Sequence, residues 1–569
     1  MERIESDVLV VGGGVAGCVA AVRAREAGAS VVVVDKTRDL CRTGDAGHGV
    51  AFLTAYLDSG PSWDTPEAFA EWYCNSADGL VDMEVAAEVA VAPLPACVEL
   101  LESCGVGLRD PQTGEHVRVQ RMWTPGPIVA RFDGSDLKPR LTERALAAGA
   151  TTIGGVHVSS IMAAGGGVTG AVGFDIRSGE HRVFAAPAVI VAAGNAERVM
   201  YNSPRRDPFN TYHRPYHGAT GFALAARAGS GATSLEFLGS FLFPRGFATG
   251  AMGNLLEAGG RLVNAHGETV ADRPTRPNER EFGFGVVAQA AREVLAGRGP
   301  LFLDCTGVGR AELDNVMSYV TFDAPLFPEF LDQSGIDLSR DLLEMEFFTG
   351  TWSATCSPKG VVVDRRCGAG LPGLFVAGDL ATPAYALAGA LTTGYVAGHA
   401  AAEHARDAGR VTLDTDALAA EHERLTAPLR RRNGPTWQEF ERELQDTMTR
   451  YVGLSRSADG LRQALACLIG FADAACNLRI ANGHELARAE EAIDLHFFDQ
   501  MMAAAALERD ESRFGFLMGH YRSDCPVPDD ARWKGVATIV HHDGTGPSVA
   551  RHVFNPTWRD EQLAAAGGA

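Results

Sequence analysis

Residues 7–36, DVLVVGGGVAGCVAAVRAREAGASVVVVDK, constrain the fold of this chain more than any other segment. An apolar strand runs into a glycine turn, an alanine-rich helix follows, and a second apolar strand ends at Asp35. Gly12, Gly14 and Gly17 have the GxGxxG spacing. Gly12 permits the tight turn, Gly14 lets backbone approach a pyrophosphate, and Gly17 lets the helix pack close to the strand. The helix N-terminus, with Val15 and Ala16 in its first turn, then presents free N–H groups to the phosphates. Asp35 lies 23 residues after Gly12, placed to accept a hydrogen bond from an adenosine ribose, with Lys36 beside it. The unit predicts a dinucleotide site on a parallel sheet. It does not distinguish FAD from NAD.

At 569 residues the chain exceeds what one compact core accommodates, so several domains are expected. A net charge of −20 argues against a nucleic-acid or anionic-membrane partner, because such surfaces are held by clustered Lys and Arg. No uninterrupted apolar run reaches the roughly 18 residues that a membrane span needs. Glu2, Glu5 and Asp7 give the N-terminus the wrong charge for a secretory signal. The eleven cysteines are odd in number, scattered, and form no CxxC pair. They predict reduced thiols in a cytoplasm and no iron–sulfur cluster on a cysteine motif of this chain. Any cluster would belong to a partner, and no metal site is expected.

Residues 63–105 carry apolar side chains at helical spacing, and a polar Gly/Pro-rich loop over 109–136 follows with Arg121, Trp123 and Arg131. GVHVSSIM at 155–162 and GVTGAVGFD at 167–175 read as strands. APAVIVAAGN brings the chain back to the central sheet at Ala193 and Gly194, and GLFVAGDLA at 373–381 returns it again at Gly378 and Asp379. These returns predict an α/β fold with a discontinuous Rossmann-like domain, residues 1–235 and 347–412. An α+β capping domain of Gly-rich turns and short strands, 236–346, is inserted into it. A helical domain over 413–525 and a strand-like C-terminal extension over 526–569, ending in a frayed AAAGGA tail, complete the chain.

Three separated signals converge on FAD: the N-terminal fingerprint, the strand ending at Ala193 and Gly194, and Phe375–Asp379. In two-dinucleotide-fold flavoproteins an acid after the late strand binds the ribityl or pyrophosphate end, and the next helix N-terminus faces the flavin O2. Asp379, followed by Gly389, Ala390 and Leu391, fits those two jobs. Val158 and Gly221 are further candidate cofactor contacts.

RTGDAGHGVAFLTAYL at 42–57, HGATGFALAARAG at 217–229, FPRGFATGAMG at 243–253, AREVLAGRGPLFLD at 291–304 and SRFGFLMGHYRSDCPVPDDARWKG at 512–535 occur in that order. With these motifs the chain resembles flavoproteins of the fumarate reductase and succinate dehydrogenase superfamily, most of all adenylylsulfate reductase alpha subunits. The resemblance implies that Arg42, Thr43, Gly44, Gly47, His48 and Gly49 form the FAD loop. Covalent members bond the flavin through a histidine just before the loop threonine. That position is Arg42, which implies noncovalent FAD. Arg513, His520, Tyr521, Arg522 and Asp524 match a signature that braces the helical domain.

The dicarboxylate-binding residues of the superfamily fall on Phe243, Leu256, Trp352 and Tyr385-Ala386, so fumarate or succinate turnover is not expected. The histidine of the adenylylsulfate enzymes also falls on Trp352, and their asparagine near flavin N5 falls on Thr54. Arg245 lies beside their substrate arginine. Arg245, Trp352, Thr54, His48, Trp123 and Asn254 are therefore the candidate catalytic residues, with Arg245 the best anion holder. His213 and His217 flank the GATG turn as candidate proton shuttles. The resulting expectation is an FAD-dependent oxidoreductase acting on a small organic substrate by two-electron transfer at N5. Its electrons would pass to or from a ferredoxin-like iron–sulfur partner, as the resemblance implies, or to oxygen, in a homo- or hetero-oligomer. Two other readings stay open: a genuine adenylylsulfate reductase of the alpha type making sulfite and AMP, and a flavin-bearing scaffold without catalysis of its own.

Overall fold

The computed structural model describes residues 2–120, 124–201, 209, 211, 213–249, 251–271, 284–322, 324–350, 357–383, 385–514 and 518–567. Its centre is a parallel five-stranded sheet in the order Leu374–Val376, Ala188–Val191, Val8–Val11, Val31–Asp35 and Thr151–Gly154. The strands are short Val/Ile/Leu runs buried on both faces, as a sheet covered on both sides requires. The strands at 188–191 and 374–376 flank one another, although nearly two hundred residues of chain separate them. Helix Val15–Glu26 packs along helix Ala386–Ala408. A Cβ on Gly394 would lie 2.5 Å from the Ala16 carbonyl oxygen, and one on Gly398 would lie 2.3 Å from that of Ala20. Two glycines one helical turn apart thus let the helices approach backbone to backbone.

An antiparallel sheet outside this layer, Val156–Ala164, Gly167–Asp175 and His181–Ala185, is edged in parallel by Glu2–Glu5. The segment between the two returns supplies five strands of a seven-stranded sheet, which Met518–His520 and Arg513–Phe514 complete at one edge, and it has its own apolar core, including Leu242, Leu256, Leu262, Leu303 and Val316. It also carries helices Ala251–Glu257, Phe284–Leu295, Arg310–Val320 and Phe327–Gln333. The segment is α+β as expected, but only its turns and short strands, and not these helices, were located from the sequence. Glycines and prolines between these helices mask their periodicity in the sequence.

Helices Thr415–Thr426, Trp437–Tyr451, Ala458–Gly470, Ala472–Cys476 and Gly483–Glu508 follow. Strands Ala537–His542 and Pro547–His552 then join the sheet containing Ala232–Thr233 and Gly360–Val362. The last described element is a helix, Pro556–Gly567, which takes in the first four residues of the AAAGGA tail expected to fray, while residues 568–569 lie outside the described residues. Trp558 anchors that helix: its indole lies over Gly79 and its Nε1 donates to Asn75 Oδ1 at 3.0 Å. Among the described residues no helix is long and apolar enough to cross a membrane.

Candidate functional site

A cavity of about 620 Å³ runs from the end of the parallel sheet to the inner face of the seven-stranded sheet. Its floor is the glycine turn. Gly12 has φ +106°, and a Cβ there would sit 2.3 Å from the Ala192 carbonyl oxygen. A Cβ on Gly17 would sit 1.9 Å from the Gly12 carbonyl oxygen, so Gly17 packs the helix onto the turn and does not line the cavity. Gly14 differs from both. Its backbone is extended, and the nearest atom to a Cβ would be Gly44 Cα at 3.9 Å, which leaves an open face beside the first N–H groups of the helix. Asp35 pins the turn: its carboxylate accepts from the Gly13 N–H at 2.7 Å, the Thr37 N–H at 2.7 Å and the hydroxyls of Thr37 and Thr43.

Val15, Ala16, Asp35, Lys36, Arg42, Thr43, Gly44, His48, Gly49, Val158, Ala193, Gly194, Gly378, Asp379 and Ala390 all line the cavity, as do Gly12 and Gly14. Gly47, Gly221 and Leu391 do not. A Cβ on Gly47 would meet the Arg42 carbonyl oxygen at 2.2 Å, and one on Gly221 would meet Leu380 at 2.6 Å. Leu391 is buried in the core. These three shape the backbone behind the wall. Lys36 lines the cavity, yet its ammonium binds Glu491 at 2.8 Å and the Tyr216 carbonyl, which ties the sheet to the Gly483–Glu508 helix. Arg42 donates to the carbonyls of Gly47 and Ser135, each at 3.3 Å.

Beside the loop lies a charged cluster that the sequence did not reveal as a unit. Asp45 Oδ1 is 3.5 Å from His217 Nδ1, and its Oδ2 is 3.8 Å from His213 Nδ1. Glu197 approaches the same His213 nitrogen at 3.4 Å, and Asn195 donates to Asp379 at 3.2 Å. Burial, reinforced by the Asp45 charge, pushes the Asp379 carboxyl up to about 7. Burial also pushes the Lys359 ammonium down to about 7, although Glu197 and Asp379 oppose it. His213 goes the other way: against the cost of burial, Asp45 and then Glu197 raise it to about 9. Despite burial, His213 and His217 hold Asp45 below the usual carboxylate range. Several groups here titrate near neutrality, as proton-handling sites require. Asp45 sits inside the FAD-loop motif and Glu197 follows AAGN, but nothing local ties either of them to Lys359.

The opposite wall is apolar. Leu242, Phe243, Leu256, Val286 and Val287 line it, with Asn254 among them and Thr54 nearer the loop. Thr54, His48 and Asn254 line the cavity. Arg245 does not. The strand Leu238–Pro244 ends one residue earlier, and the Arg245 side chain, 56% exposed, pairs with Glu344 at 2.7 Å on the surface. Trp123 and Trp352 lie outside the described residues. Away from the cavity, buried Arg513 joins Glu511, Asp78 and the exposed Asp530, buried Arg522 binds the exposed Asp524, and Arg456 contacts His520 at 2.6 Å.

Residues 7–391 match the model of the FAD binding domain family, and residues 441–558 match that of the fumarate reductase flavoprotein C-terminal region. The chain belongs to the FAD-dependent fumarate reductase and succinate dehydrogenase flavoproteins. It is 28% identical to an L-aspartate oxidase of Streptomyces coelicolor, covering 93% of this chain and 90% of that one. It is 24% identical to one of the subunits of a fumarate reductase (CoM/CoB) of Methanothermobacter marburgensis, over 92% and 95%. In structure it is similar to adenylylsulfate reductase of Archaeoglobus fulgidus, with a TM-score of 0.85, 20% identity and 97% of each chain covered, a likeness of fold. The cavity fits an FAD of this family. The open face at Gly14, the free N–H groups of the helix beside it and the positive-φ Gly12 turn form a phosphate cradle, and any side chain at Gly12 would clash with the Ala192 carbonyl and displace the turn.

Proposed function

We infer that this flavoprotein holds FAD noncovalently and carries out two-electron oxidation or reduction of a small organic substrate. One observation carries the reading: a single cavity joins the glycine cradle to a substrate-sized space walled by the capping segment. A bound flavin supplies hydride chemistry at its N5. The chain's residues do the rest. The Gly12–Gly14 turn and the first turn of helix Val15–Glu26 receive the pyrophosphate, and Asp35 holds that turn in shape while presenting a carboxylate to the ribose side. Asp379, following the strand Leu374–Val376, is a buried acid that would face the ribityl chain of a bound FAD. His48, His213 and His217 line the cavity, and Asp45 and Glu197 keep His213 charged, so this bank can hold or release the companion proton.

Arg42 stands where covalent members of the family place their linking histidine. Its guanidinium is occupied with backbone carbonyls, which supports noncovalent attachment. Two observations support electron exchange with a ferredoxin-like partner. The Methanothermobacter relative is one component of a multi-chain fumarate reductase, and this sequence has no CxxC motif of its own. The adenylylsulfate reductase reading loses its best anion holder, because Arg245 pairs with Glu344 on the surface.

Stopped-flow absorbance tests the assignment. Reduction of the bound flavin by an organic metabolite, and not by sulfite with AMP, is the expected result. Bleaching by sulfite and AMP overturns it in favour of adenylylsulfate chemistry, and bleaching by no metabolite in a broad library leaves the scaffold reading in its place.

A further inference from the structure

We propose that the capping wall of the cavity selects a small uncharged organic molecule and excludes dicarboxylates, an inference that rests on the flavoprotein reading above. Three segments build this wall: strand Leu238–Pro244 brings Leu242 and Phe243, helix Ala251–Glu257 brings Asn254 and Leu256, and helix Phe284–Leu295 brings Val286 and Val287. Among the described residues of 236–346, no charged side chain lines the cavity. The two positions where the family resemblance places a substrate histidine and arginine, Phe243 and Leu256, are 2% exposed and face the space with carbon.

Cations on the opposite wall face partners within the protein, including the charged His213, whose ring lies 3.8 Å from Asp45 and 3.4 Å from Glu197. Lys36 pairs with Glu491, Arg42 donates to two carbonyls, and the Arg214 Nε points to the Gly44 carbonyl at 3.4 Å. That wall also holds Asp45, kept ionised by His213 and His217, whose charge would repel a dianion. A carboxylate pressed against Phe, Leu and Val loses its hydration and finds no partner, whereas the body of a neutral molecule gains by leaving water. Asn254 and Thr54 are uncharged groups suited to a single carbonyl or hydroxyl. The class this points to is a neutral alcohol or carbonyl compound with an apolar body.

The holoenzyme is titrated with succinate, dimethyl succinate and cyclohexanone, with perturbation of the visible flavin band and the thermal midpoint as readouts. The ester and the ketone are expected to bind at least ~10-fold more tightly than succinate, and Leu256→Arg is expected to narrow or reverse that ratio. Val287→Lys is the second variant if Leu256→Arg does not fold. Succinate binding as tightly as the ester, or no neutral probe binding below about 10 mM, overturns the proposal. The two readings fail separately. A purified chain without a flavin band refutes the cofactor assignment, while thermal-shift titration with the same probes still reads the wall.

Discussion

The cradle makes opposite demands on two glycines only three residues apart, and alanine at each separates cofactor binding from folding. At Gly17 a Cβ would lie 1.9 Å from the Gly12 carbonyl oxygen and 3.0 Å from its carbon. No flexible side chain can yield, because the obstacle is backbone already pinned against Ala192. Overpacking of this kind costs about 1–3 kcal/mol or more, offset by about 1 kcal/mol of helix propensity for alanine over glycine. A 1.9 Å approach to backbone puts the cost at the upper end of that range, so Gly17→Ala should lower the stability of the apoprotein by about 2 kcal/mol and displace the turn. Gly14 has φ −65° and ψ −168°, a conformation open to alanine, with nothing nearer than 3.9 Å. Gly14→Ala should leave apoprotein stability within about 1 kcal/mol, the scale of an N-cap change. Its methyl group, however, fills the space that a pyrophosphate needs. Losing one charge-assisted hydrogen bond there is worth about 1.5–3 kcal/mol, or about 10–100-fold in Kd. Thermal or denaturant unfolding of the apoproteins, and FAD titration followed by quenching of flavin fluorescence, read the two effects independently. Wild-type FAD affinity in Gly14→Ala would refute the placement of the pyrophosphate, and wild-type stability in Gly17→Ala would refute the packing argument.

Three further outcomes follow from side chains elsewhere. His213 sits at about 9 in the folded chain against 6.5 unfolded, so its charge contributes up to about 3 kcal/mol. That contribution is present in full below the unfolded value and is lost as pH rises through the folded one. The stability gap between wild-type apoprotein and His213→Gln, measured by unfolding across this range, should be widest in mild acid and vanish above pH ~10. A gap that grows with pH contradicts the assignment. Arg245→Ala removes only an exposed pair with Glu344 and should cost under about 1 kcal/mol, with flavin content and reduction rate unchanged. A large loss of flavin reduction would return Arg245 to the site. Asp499 is buried, and neither of its carboxylate oxygens has a hydrogen-bond partner among the described residues; burial and then Glu441 raise its acid well above 3.8. With the folded value raised, its contribution to stability falls as pH climbs above the unfolded value, so Asp499→Leu should stabilise the chain by on the order of 1 kcal/mol or more at neutral pH and less in acid. Equal effects at both pH values, read from thermal midpoints, would contradict this.

What the sequence revealed, and what it hid, divides by range. The glycine turn, the Asp35 strand end and the returns at Gly194 and Asp379 were legible because strand, turn and helix signals there are contiguous, and each glycine has a local steric reason. Phe243 and Leu256 were put at substrate positions by the family resemblance alone, and the structure sets both on the cavity wall. Arg245 failed for a reason of register: the strand stops at Pro244, so the next side chain leaves the sheet and turns to solvent. The charged cluster was hidden because Asp45, Glu197, His213, Lys359 and Asp379 come from five separate segments, and only the folded sheet brings them together. The capping helices were masked by glycines that mark turns between elements and equally punctuate strands.

The central claim is noncovalent FAD in this cavity, and the visible spectrum of the purified protein before and after acid precipitation tests it most directly. The account predicts a flavin band that passes quantitatively into the supernatant with the mobility of free FAD. A purified protein without that band, or a flavin that stays with the precipitated polypeptide, would contradict it.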